Sequence, residues 1–180
     1  MKHLYFVRHG LSEANKAGIW SGYFNTPLAS EGHEQAKLAG KLAREQGLVF
    51  DIILSSPLDR AHHTAQHISH ATGYPISDIV LYDNLIERNF GELENTQNKE
   101  AAAKYAQDES TIDAYNNVER LVDLQWRAKE VLKYLHTLPH DTVLVVAHGA
   151  FGRALRRAVN NDPLNSQFVA IQNAEIIKFI

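Results

Sequence analysis

The chain has no cysteine, so a disulfide framework, a thiolate nucleophile and a zinc–cysteine centre are all excluded. It has no apolar run near the roughly 20 residues that a membrane-spanning helix needs, and no membrane partner is expected. Neither a Walker-type glycine loop nor a Gly-x-Gly-x-x-Gly run is present, which leaves a nucleotide cofactor without support. A carboxylate cluster is missing too, and neither a metal nor any other cofactor is expected. Positive charge is in deficit: the formal net charge is −3, which argues against nucleic acid or an acidic membrane as a bulk partner. An anionic substrate must then be captured by a local group of cations. Internal repeats, linkers and low-complexity tracts are absent. The first residues run directly into strand-like sequence at 3–7, from which we expect no signal peptide and a cytoplasmic protein.

What is there suits one domain over 1–180: 44% of the residues are hydrophobic and 22% charged, enough to bury a continuous core. Residues 3–7, 51–55, 79–82 and 142–147 read as strands, the last being the most hydrophobic. Helical patterns cover 31–46, 57–72, 99–107, 118–138 and 150–159, with Gly47 and Gly73 at the ends of the first two. Two further strands are expected at 168–171 and 175–179. Alternating strands and helices predict a three-layer α/β sandwich with a mostly parallel central sheet. In such sheets ligands sit beyond the carboxyl ends of the strands. Arg8-His9-Gly10, Ser55-Ser56 with Arg60, and His148-Gly149 should therefore converge there.

Four groups of residues carry the chemistry. The first is Arg8-His9-Gly10-x-Ser12-x-x-Asn15, with Ser21-Gly22 a little further on. In the second, Ser55-Ser56-Pro57-Leu58-x-Arg60-Ala61-x-x-Thr64-Ala65, Ser56 is expected to cap a helix with Pro57 in its first position and Asp59 completing a capping box. Free N–H groups at that helix start would point toward the strand ends, with Arg60 reaching toward an anion bound there. Glu87, in a loop with several acids, is the third element, and His148-Gly149 after the most hydrophobic strand is the fourth. Taken singly, each has an ordinary structural reading: a satisfied loop imidazole, a surface arginine, a solvated glutamate, a hydrogen-bonded core histidine.

In this order the four resemble the histidine phosphatase superfamily, also called the phosphoglycerate-mutase-like family, from Arg8 to about Arg153. The resemblance implies an α/β sandwich, a phosphohistidine intermediate, and catalytic roles for Arg8, His9, Arg60, Glu87 and His148. The same roles have a physical basis. A neutral imidazole nitrogen can attack phosphorus and divide one displacement into two easier steps. Neighbouring guanidiniums and a second histidine disfavour the imidazolium form of His9. Arg8 and Arg60 can hold phosphoryl oxygens, His148 a third, and Asn15 can add a neutral donor. Ser21, Gly22 and Gly149 are further candidates for substrate contact. Glu87 can protonate the leaving alkoxide and then activate water. His63, His67 and His70 fall at helical spacings, but no acid completes a metal-ligand set.

Within the family, the partner is expected to be a small phosphorylated molecule, and the oligomeric state is left open. Hydrolysis is preferred to mutase chemistry. Phe90 stands where mutases use a tyrosine, Asn98 where they place a lysine, and Ala150-Phe151 where Asn-Ser is common. Asn95 replaces a frequent loop glycine, and the inserted paired-arginine segment and C-terminal extension of mutases are missing. The six acids between Glu92 and Asp113 are expected to repel a second anionic group on the substrate. Against this, Arg88 and the run Ala102-Ala103-Lys104-Tyr105 follow the mutase pattern. A binding module with the same cationic pocket is the non-catalytic alternative.

Overall fold

The central strands bury both faces, and that single property sets the architecture. In the computed structural model, which describes residues 1–180, β1 (His3–Arg8) pairs in parallel with β4 (Thr142–Ala147), placing Arg8 opposite Ala147. On the other edge of β4 runs β2 (Ile52–Ser55), also parallel, with Ser55 opposite Val146. The short β3 (Val80–Leu81) extends β2, and β5 (Ile176–Lys178) closes the far edge antiparallel to β1, giving the order β3-β2-β4-β1-β5.

Alternate side chains of these strands feed two different cores, as the period of two requires. Leu4, Phe6, Leu54, Val143 and Val145 pack against α5 (Leu121–Thr137) and α6 (Gly149–Asn160) through Leu124, Val131, Leu135, Phe151 and Leu155. Val7, Ile53, Leu144 and Val146 face the opposite layer, α2 (Ser30–Glu45) and α3 (Asp59–Thr72), meeting Ala39, Ala65 and Ile68. The expected three-layer sandwich is therefore the observed one. Each fully buried Leu, Ile, Val or Phe contributes roughly 1.5–3 kcal/mol, which is why the pattern of small and large residues, rather than helix propensity, seats these helices.

A third, smaller apolar cluster joins Phe90, Leu93, Ala101, Ile112 and Val118 with Trp20 and Tyr105. It is built from α4 (Lys99–Gln107) and single 3₁₀ turns, including Gly91–Leu93 and Glu109–Ile112.

Three local expectations need correction. Residues 168–171 are not a strand, because the open edge of β1 is already taken by β5; Ile171 is an isolated core anchor whose carbonyl accepts from Arg8 Nη1 at 3.0 Å. Val118 lies outside α5, since it forms an isolated bridge with Phe90. The helix after Ser56 starts at Asp59, with Leu58 as its cap residue and no side-chain cap. Ser56 instead accepts from Leu58 N–H at 3.3 Å, and Asn25 Oδ1 accepts from Asp59 N–H at 3.0 Å. That helix start is thus occupied from within the protein.

Candidate active site

The carboxyl ends of β1, β2 and β4 deliver Arg8-His9, Ser56 and His148 to one place, as expected from the parallel register. The loop after β1 is held on every side. Asn173 Nδ2 donates to His9 O at 2.7 Å, Ala174 N–H to Arg8 O at 2.8 Å, and Gly10 N–H to Thr64 Oγ1 at 3.0 Å. Gly10 passes so close to α2 that a Cβ there would lie 2.4 Å from Gly32 O, inside contact distance, so no larger residue fits. Ser12 then caps the short α1 (Glu13–Ala17) in a capping box with Asn15, whose Oδ1 accepts from Ser12 N–H. That leaves the Asn15 amide N–H groups free toward the cleft.

His9 is almost fully buried, 3% exposed. Its Nδ1 lies 2.7 Å from Gly10 O. A carbonyl can only accept, so Nδ1 carries the hydrogen and Nε2 carries the lone pair. Burial holds His9 well below the ordinary imidazole pKa, and the Arg60 and Arg8 guanidiniums push in the same direction. His148 is lowered for the same leading reason, burial, followed by Arg60 and His9 itself. The two rings are 5.1 Å apart, and His148 Nε2 meets Ser56 Oγ at 2.7 Å. Arg8 and Arg60 are also depressed by burial, Arg60 to about 10, which leaves both cationic at neutral pH. Arg8 Nε, Arg60 Nε and His148 Nδ1 are buried without a hydrogen-bond partner. Such groups are rare in folded proteins and mark a place built for an acceptor.

Glu87 sits at the N-terminus of α6. Its Oε1 accepts from Arg88 N–H and Phe151 N–H, both at 2.9 Å, and its Oε2 from Ala150 N–H at 3.0 Å. The sequence placed a free helix N-terminus after Ser56; the one that takes part here belongs to α6, and a carboxylate fills it. Oε2, with one bond fewer, is the oxygen that keeps hydrogen-bonding capacity to spare.

These groups open on a cleft of about 370 Å³ whose wall includes Arg8, His9, Asn15, Ser21, Glu87 and Gly149. Arg60, His148 and Gly22 do not line it. Trp20, Phe90, Tyr105, Arg153 and Phe168 do, and sequence reasoning placed none of Trp20, Arg153 and Phe168 in the site. They come from five separate segments; the third apolar cluster joins Trp20, Phe90 and Tyr105, and Arg153 and Phe168 meet it against the Tyr105 ring. Arg153 lies over the rings of Tyr105 and Phe168, 5.6 and 4.4 Å from their centres.

Arg60 does not reach toward the cleft with its terminal nitrogens. Nη1 donates to Phe24 O, and Nη2 to Ser21 O and Gly22 O at 2.8–3.2 Å. From the other side Glu94 accepts from the N–H groups of Gly22, Tyr23 and Phe24 at 2.9–3.1 Å. The segment 21–24 is thereby clamped between an arginine and a glutamate.

The six acids expected to repel a second anion turn out to be engaged elsewhere. Glu92 binds Asn116, Glu100 pairs with Lys104, Asp108 holds Ser110, Glu109 pairs with Arg153 and Arg157, and Asp113 pairs with Arg88. None lines the cleft, and Glu100, Glu109 and Asp113 are paired with cations, while Glu92, Glu94 and Asp108 are held by neutral donors. His67 Nε2, on the histidine-rich face of α3, meets His33 Nδ1 at 2.9 Å and ties α3 to α2.

A pH dependence follows from the two depressed histidines. The unfolded chain binds protons at about pH 6.5 and the folded site resists them. Stability is therefore insensitive to these groups above about pH 7. Below about pH 6.5 it falls, by up to roughly 1.4 kcal/mol per pH unit for each histidine, until the folded values are reached. Melting temperatures recorded across this range should show a shallower acid slope in His148→Asn than in the parent; equal slopes would refute the assignment.

Comparison with known proteins identifies the family. Residues 4–179 match the Histidine phosphatase superfamily (branch 1). The chain belongs to that superfamily. It is 36% identical over 171 residues to a 2,3-bisphosphoglycerate-dependent phosphoglycerate mutase of Brucella abortus, a match covering 87% of this chain and 81% of the relative. Among solved structures, a mycobacterial glucosyl-3-phosphoglycerate phosphatase complexed with VO3 superposes with a TM-score of 0.86 at 23% identity, covering 99% of this chain and 92% of the other. A putative alpha-ribazole-5'-P phosphatase from Escherichia coli gives 0.82 at 25% identity, covering 99% and 90%.

Proposed function

We propose that the protein is a metal-independent phosphomonoester hydrolase acting on a small phosphorylated metabolite through a phosphohistidine at His9. The observation that carries this reading is the neutral, buried His9 with its Nε2 lone pair free, set among buried donors of Arg8, Arg60 and His148 that have no protein acceptor.

Nε2 attacks phosphorus as the ester P–O bond breaks, and the proton on Glu87 Oε2 passes to the leaving alkoxide. Arg8, Arg60, Asn15 and His148 stabilise the charge on the transferring phosphoryl group. With Ser56 Oγ–H donating to His148 Nε2, the proton of His148 sits on Nδ1 and is available to a phosphoryl oxygen. Water then attacks the phosphohistidine, Glu87 takes its proton, and phosphate and free His9 are regenerated. The Arg60 side chain also anchors segment 21–24, so its role combines charge with positioning.

Water, rather than a second hydroxyl, is the preferred acceptor. The backbone donors at Gly22, Tyr23 and Phe24, which a second anionic group could use, are already given to Glu94. Trp20, Phe90, Tyr105 and Phe168 make that end of the cleft largely aromatic. The mutase reading stays as the alternative because of the 36% identity to the Brucella enzyme.

Incubation with 3-phosphoglycerate and priming 2,3-bisphosphate separates the two. Phosphate release with little 2-phosphoglycerate is expected, and efficient interconversion would reverse the ranking. In the same assay Glu87→Gln should slow alkyl phosphates more than aryl phosphates with acidic phenols, whose leaving groups need less protonation. Equal losses would instead make Glu87 a residue that only orders the start of α6.

A further inference from the structure

The outer flank of α6 carries a second cavity, of about 350 Å³, on the far side of Arg153 from the catalytic cleft. Arg153, Arg156, Arg157 and Asn160 line it at spacings of three, one and three, which place them along one stripe of the helix. Asp162, Ser166, Gln167 and Val169 close the opposite side.

The charges on this wall do not balance. The Arg153 and Arg157 side chains are 8% and 5% exposed, and they share a single buried carboxylate, Glu109, one oxygen each. Arg156 has only a 3.3 Å bond to Val169 O. Asp162, the acid on the cavity wall, is held by Asn160 Nδ2 at 3.2 Å. Arg157 Nη2 is buried without any partner. Arg157 is otherwise satisfied, by Glu109 through Nη1 and by Gln125 through Nε, and a guanidinium fork left with a free N–H matches an oxyanion better than any other ligand.

We propose that this cavity is a second anion-binding site, separate from the catalytic cleft, and that it takes a phosphate group. Three guanidiniums on one helical stripe supply the recognition, and Ser166 and Gln167 can add neutral donors. The partition between the two cavities is Arg153 with Phe168 against its guanidinium. Because α6 also presents Ala150 and Phe151 N–H to Glu87, an anion held on its outer flank steadies the helix that positions the candidate acid.

The proposal stands whether or not the protein hydrolyses esters, and the test keeps the two apart. Inorganic phosphate is titrated calorimetrically into the wild-type protein, Arg156→Glu and Arg156→Gln. Phosphate is also assayed as a competitive inhibitor of aryl phosphate turnover. The expected result is two sites in the wild type and one in Arg156→Glu, with the inhibition constant unchanged. Arg156→Gln should weaken the second site by roughly tenfold, in line with loss of one charged hydrogen-bonding partner. A single wild-type site that disappears in Arg156→Glu would uphold the second site while removing support for phosphate in the cleft. A single site that survives Arg156→Glu, or two sites that both survive it, overturns the proposal. Arg156 is partly exposed and makes one weak bond, so the variants should fold; if either does not, the wild-type stoichiometry of one or two, combined with the inhibition constant, still decides.

Discussion

Replacing His9 by alanine is expected to lower phosphate release at least about a hundredfold, as loss of a nucleophile generally does. No nearby group can substitute. His148 is the other imidazole within reach, but its Nε2 accepts from Ser56 Oγ and its Nδ1 carries the proton, so it has no free lone pair with which to attack phosphorus. In the wild type, rapid quenching without acid followed by mass spectrometry should find an acid-labile phosphoryl adduct on His9. The fold should tolerate the change, because the loop is pinned through backbone groups, His9 O to Asn173 and Gly10 N–H to Thr64, that alanine retains. Activity within a few-fold of the parent, in a protein with a normal melting temperature, would exclude His9 as the nucleophile.

Glu109→Ala is expected to destabilise the protein by about 3–5 kcal/mol, the range for breaking a buried ion pair by removing one partner. For a chain of this length that is a fall in melting temperature of roughly 10 °C. Glu109 is the carboxylate on which Arg153 and Arg157 both depend, at 2.7 and 2.6 Å, and it also accepts from Tyr105 OH at 3.1 Å. Burial pushes its pKa up, but the two arginines outweigh that and hold it below the usual carboxylate value. Its contribution is accordingly present above about pH 4.5 and lost as pH falls through the depressed folded value. Glu109→Gln, which keeps the shape and one acceptor, should fall between the two. A loss under about 1 kcal/mol in Glu109→Ala would mean that water reaches the arginines as soon as the carboxylate is gone.

Much of the candidate site was legible because its parts lie in short contiguous runs at strand ends. Arg8-His9-Gly10 and His148-Gly149 follow hydrophobic strands whose parallel pairing could be anticipated, and parallel strands bring their carboxyl ends to one edge. The Ser12-x-x-Asn15 spacing even carried the capping box that turns Asn15 toward the cleft, although the helix it caps was too short to be seen as a period. Where the reading failed, it assumed that a group with a suitable chemical type faces the site. Ser56 was taken for a cap and supports His148; Arg60 was aimed at an anion and its terminal nitrogens hold carbonyls of segment 21–24; the acids of 92–113 were counted as facing the substrate and none lines the cleft.

By itself the sequence determined the three-layer sandwich and the identity of the groups at the strand ends, because burial on both faces of a strand and the period of a helix are written in local order. Tertiary structure alone decided which residues share the cleft wall. Trp20, Phe90, Tyr105, Arg153 and Phe168 are separated by up to most of the chain length, and no periodicity links them. It also decided which N–H groups remain free. A backbone donor or a guanidinium takes whichever acceptor packing places within about 3 Å, so Glu87 fills the start of α6, Glu94 fills the donors of 22–24, and one nitrogen each of Arg8, Arg60 and His148 is left unpartnered.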